Sequence, residues 1–74
     1  MARDYIDPKK LGAILRRYIK GKYHYLWQFA NDYGCSERTL QYWLSGGLDS
    51  FITLNSIAQF LGIDVWTILH ESVG

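Results

Sequence analysis

Residues 36–45, SERTLQYWLS, carry hydrogen-bonding side chains at helical spacing: Glu37, Arg38, Gln41 and Tyr42. An arginine fork pairs with guanine O6 and N7, a glutamine amide matches adenine N6 and N7, and a glutamate accepts from cytosine N4. The hydroxyls of Ser36, Thr39 and Ser45 suit phosphate oxygens or base edges. The set is useful only if one rigid helix turns it to one side. Leu40 and Trp43, three apart, supply the opposite, inward side. These spacings predict a helix over about 37–44, with Glu37, Arg38, Gln41 and Tyr42 outward.

A helix before it must set its angle. LWQFANDY, about 26–33, predicts one with Phe29, Ala30 and Tyr33 inward. Ala30 is small enough for two helices to cross closely. Gly34 lacks the Cβ that penalises the positive φ of a sharp turn. Ser36 follows as an N-cap.

The series Ala30, Gly34, Ser36, Leu40, Trp43, Gly46 resembles the helix-turn-helix of the lambda-repressor-like, XRE-type DNA-binding domains. That family places a small residue four before the turn glycine and a serine two after it. Apolar residues come six and nine after it, and a glycine twelve after it. Gly12 and Arg16 also sit as in the family's first helix, and the likeness spans roughly residues 11–69. It implies an all-α, compact five-helix domain with a central helix-turn-helix, acting as a small transcriptional regulator on double-stranded DNA, commonly as a dimer. Prophage control and toxin–antitoxin autoregulation are roles of such proteins. By the resemblance, Glu37, Arg38, Gln41 and Tyr42 read bases, and Lys20, Lys22, Tyr25, Ser36, Thr39 and Ser45 meet the DNA backbone. At one point the chain departs from the pattern. Relatives open the second helix with Ser or Thr and then a phosphate-binding Gln, where this chain has Tyr25 and Leu26. Leucine cannot donate a hydrogen bond.

Around this core, residues 1–6 are expected to form an irregular arm, with Arg3 in reach of a phosphate. A single domain is expected over 7–74. Asp7-Pro8 opens a first helix, about 8–20, with Leu11, Ile14, Leu15 and Tyr18 inward. Ser50 opens a fourth, about 51–61, with Phe51, Leu54, Ile57, Ala58 and Leu61 inward. Gly62-Ile63-Asp64 leads to a fifth, about 65–71, where Val65, Ile68 and Leu69 complete the core. Trp27 is expected to pack on the first helix, and Cys35 to act as a small buried hydrophobe.

Of the 74 residues, 49% are hydrophobic, which suits one globular core rather than a disordered chain. All eight Lys and Arg precede residue 39, with four of the seven acids, so that part is +4 and the remainder −3. A basic half can meet phosphate. No Gly-rich phosphate loop, metal-ligand spacing or catalytic triad is legible, and His24 and His70 stand apart. No enzymatic activity, cofactor, metal, membrane or small-molecule ligand is expected, and one cysteine with no leader or membrane-spanning run suits the cytoplasm. Ile19, Trp27, Leu44, Ile52 and Trp66 exceed what a solvated monomer should expose. Trp66, Ile52 and Leu69 are therefore candidate contacts for a homodimer or another partner. The alternative function is a protein-interaction module that kept the fold, lost DNA binding, and depends on Trp66, Tyr42 or Leu44.

Overall fold

The computed structural model describes residues 6–73, so the expectation for Arg3 falls outside the described residues. The fold is all-α with five helices. Helix α1 spans Pro8–Lys22, α2 Leu26–Tyr33, α3 Glu37–Tyr42, α4 Phe51–Leu61 and α5 Val65–Glu71. Among the described residues no single helix is long and apolar enough to cross a membrane, and α4 and α5 meet at a 114° bend.

Four of the five starts follow from a side-chain cap, α2 being the exception. The Asp7 carboxylate accepts from Lys9 N at 3.1 Å, ahead of Pro8 in the first turn. Ser50 Oγ accepts from Thr53 N at 3.3 Å, and Asp64 Oδ1 from Trp66 N at 3.2 Å. Helix α1 runs two residues past its expected end. Gly21 lies within it in open space, and the Lys22 ammonium donates to Leu61 O at 2.9 Å. This tertiary bond, at the carbonyl end of α4, offsets the low helix propensity of glycine.

Helix α3 ends at Tyr42, two residues short of expectation. The backbone then widens into a π-helical turn, Trp43–Gly47, with Gly46 at φ 113°. The widened turn seats the Leu44 carbonyl against Gly12 of α1, where any Cβ would collide with it.

The core is contiguous and draws on every helix. Leu15, Ile19, Phe29, Leu40, Ile57, Leu61 and Ile68 are fully buried within it. Ile19 and Leu44, expected among the surplus apolar residues, are core side chains, so Leu44 is unavailable to a partner. Ile6, placed in an irregular arm, pairs with Val73 in an antiparallel bridge, and Asp7 N donates to Ser72 O at 3.1 Å. The C-terminal end is tied to α1 by further polar contacts. Lys10 Nζ donates to Val73 O at 3.1 Å, and Arg17 Nη2 pairs with Glu71 Oε1 at 2.6 Å. The Tyr18 hydroxyl donates to Glu71 Oε2 at 3.1 Å.

Candidate nucleic-acid interface

Helices α2 and α3 are joined by a turn in which Gly34 takes φ 101°. Gly34 N and Cys35 N both donate to Ala30 O, at 2.9 and 3.0 Å, so the carbonyl end of α2 is satisfied at the crossing. Ser36 Oγ then accepts from Thr39 N at 3.0 Å. At the start of α2, Tyr25 N donates to Gln28 Oε1 at 2.9 Å and Gln28 N to Tyr25 O at 3.1 Å. Gln28 thus does the capping that the Tyr25 side chain cannot.

This frame orients α3. Leu40 is buried and Trp43 half-buried, with its ring 6.3 Å from Tyr33. Glu37, Arg38, Gln41 and Tyr42 are all exposed on the opposite side. Gln41 Nε2 lies 3.4 Å from Glu37 Oε2, a long contact that is easily exchanged for a ligand. The Tyr42 ring lies over the backbone of Gly47.

The expected backbone contacts divide. Ser36 and Thr39 are exposed, but their hydroxyls bond to each other at 2.9 Å, and Ser45 Oγ donates to Tyr42 O at 3.0 Å. Each hydroxyl keeps lone pairs for a second partner. Tyr25 is exposed and its ring lies parallel to that of Trp27, 6.3 Å away, with His24 edge-on at 4.4 Å. Lys20 is exposed on α1. Lys22 departs from its expected role, since its ammonium is engaged at Leu61 O. Trp27 also departs from expectation: it is 52% exposed rather than packed away. The inward face of α2 is filled by Leu26, Phe29, Ala30 and Tyr33, and position 27 points away from it.

The six cations of α1 fall into two groups. Lys10, Arg17 and Lys22 are bonded to Val73 O, Glu71 and Leu61 O. Lys9, Arg16 and Lys20, spaced seven and four apart, form one stripe beside Gly12. None of these three side chains, nor that of Arg38, has a hydrogen-bond or ion-pair partner among the described residues. The stem of Lys9 passes Gly46, where a Cβ would lie 3.2 Å from Lys9 Cγ. In the sequence Arg16 stands out only through the resemblance of the first helix, and Lys9 is not singled out. Their spacing with Lys20 and Gly12 is the available signal, and it acquires meaning only once Gly12 is seen to face the widened turn.

Elsewhere the chemistry is sparse. A shallow groove of about 510 Å³ opens beside α2, lined by Tyr23, His24, Trp27 and Asp32 among others. Desolvation, and then the Asp32 carboxylate, push the Tyr23 phenol above its ordinary value. Cys35 is half-buried, and burial pushes its thiol up, away from the reactive thiolate. Among the described residues no three His, Cys, Asp or Glu side chains are grouped to hold a metal. In comparisons with protein-family models, curated proteins and solved structures, nothing matches this chain.

Proposed function

We propose that this chain is a small DNA-binding transcriptional regulator that sets α3 in the major groove. One observation carries the reading: α3 turns Glu37, Arg38, Gln41 and Tyr42 outward, and α1, which meets the turn after α3 at Gly12, carries a stripe of cations without a partner among the described residues. Arg38 would pair with guanine and Gln41 with adenine, while Glu37 would accept from cytosine N4 and disfavour a nearby phosphate. Tyr42 would add an edge contact further along the helix. Lys9, Arg16 and Lys20 would neutralise phosphates and release counterions. Ser36, Thr39, Ser45 and Tyr25 offer hydroxyls to the same backbone. A cytoplasmic location accords with DNA as the partner. If two copies bind together, their half-site centres lie about 34 Å apart or at a multiple of that.

The interaction-module reading is favoured at one point. Leu26 is half-buried where a phosphate-binding glutamine would stand in the family it resembles, so α2 brings no side-chain donor there.

Site selection from a randomised duplex pool tests the DNA reading. On a selected site, Arg38→Ala should weaken binding by about 1–3 kcal/mol and relax one base position. An equal loss on every sequence, or none, would contradict a reading role for Arg38.

A further inference from the structure

The outer face of α4 and α5 differs in kind from that of α3. Ile52 is 81% exposed and Trp66 65% exposed. Phe51, expected in the core, is 49% exposed, and its ring centre lies 5.8 Å from that of Trp66. Beside Phe51 an apolar groove of about 330 Å³ runs toward α1 between Leu11, Leu48, Leu54 and Leu69. Leu69 is half-buried along this groove, so of the three expected contact residues it contributes an edge, and Ile52 and Trp66 the exposed surface. Phe51 joins the groove to Trp66, Ile52 follows it in the chain, and contiguous exposed apolar surface marks interaction sites.

Charge identifies the occupant. Asp49 lines the groove, and the Asp64 carboxylate sits at the backbone of Trp66. Residues 39–74 contain no Lys or Arg. Among the described residues, the α1 cations toward the C-terminal end are held in place there, Arg17 paired with Glu71 and Lys10, still charged, donating to Val73 O. A second copy placed symmetrically on this face would set its own Asp49 and Asp64 toward the same acids, a less favourable match than a cationic partner. An anionic lipid surface or a nucleic acid would be repelled for the same reason. A helix with apolar residues at i, i+3, i+4 and i+7 and cations on its flanks satisfies both the groove and the rim.

We propose that the α4–α5 face is a docking surface for a basic amphipathic helix of another protein. Phe51, Ile52 and Trp66 are the apolar contact, and Asp49 and Asp64 the charged rim. The surface lies on different helices from the α3 side, so docking here holds whether or not α3 binds DNA.

The test uses the full-length, ¹⁵N-labelled chain and two synthetic helical peptides that share one leucine stripe, one flanked by lysines and one by glutamates. The lysine peptide should shift the amides of residues 49–52 and 64–67, and the glutamate peptide should bind at least about tenfold more weakly. Asp64→Asn keeps the helix cap, because asparagine caps as well as aspartate. It should still weaken the lysine peptide several-fold. Ile52→Ser, at a solvent-exposed position, should weaken it further with the fold intact. Equal binding of the two peptides would overturn the proposal, as would no shift with either. Concentration-dependent self-association shifting the same amides in the protein alone would overturn it in favour of a second copy.

Discussion

The chain builds the same turn twice. Ala30, Gly34 and Ser36 join α2 to α3, and Ala58, Gly62 and Asp64 join α4 to α5 at the same spacing. Both alanines are buried, and both glycines have positive φ, 101° and 74°. Cys35 and Ile63 plug the two turns from half-buried positions, and each donates its N–H to the alanine carbonyl, at 3.0 and 2.9 Å. A cap then starts the next helix, Ser36 in one turn and Asp64 in the other. The helices beyond the two caps are opposite in character. Helix α3 turns Glu37, Arg38 and Gln41 outward, whereas α5 turns Trp66 outward with acids at its rim. Turn chemistry therefore makes a helix pair, and the outward residues decide what the pair can bind.

The two turns are also braced differently, and substitution can expose this. The largest effect is expected at Gly12. A Cβ there meets the Leu44 backbone carbonyl, in the turn that closes the first helix pair after α3. Gly12→Ala should cost about 3 kcal/mol, since backbone can yield less than a side chain. That corresponds to a fall in Tm of more than roughly 10 °C. A normal melting curve would show that α1 and the widened turn are not closely fitted at this point.

The turn glycines separate next. Gly34 lies well outside the left-handed region open to other residues, whereas Gly62 lies close to it. Gly34→Ala should therefore cost about 2 kcal/mol and Gly62→Ala about 1 kcal/mol in urea unfolding. Reversal of that order would contradict the geometric contrast. The smallest effect belongs to Lys22, which braces only the second turn through Leu61 O. Lys22→Met should cost about 0.5 kcal/mol by losing a cation at the α4 C-terminus. Loss of DNA affinity with no change in stability would instead return Lys22 to the nucleic-acid side.

Much of this arrangement is legible in the sequence because it is local. Asp7-Pro8, Ser36, Ser50 and Asp64 mark helix starts by their own side chains, and Gly34 and Gly62 mark ends by having none. The outward side of α3 follows from the three-residue spacing of Leu40 and Trp43. The rest depends on neighbours distant in sequence. The turn after Tyr42 brings Leu44 against Gly12, thirty-two positions apart. Helix α1 continues past Gly21 with Lys22 bonded to Leu61 O. Trp27 misleads because its size suggests burial, while its position on an eight-residue helix turns it outward. Ile19 and Leu44 look surplus against the family pattern, yet both are core.

The most direct measurement is an NMR titration of the labelled protein with a mixed-sequence DNA duplex, at low and then moderate salt. A DNA binder of this design shows shifts on residues 36–42 of the first helix pair and on Lys9, Arg16 and Lys20. They weaken with salt as counterion release requires, and the α5 amides stay still. Absence of shifts at low salt, where even non-specific binding registers, would contradict the DNA reading, and so would shifts centred on Trp66.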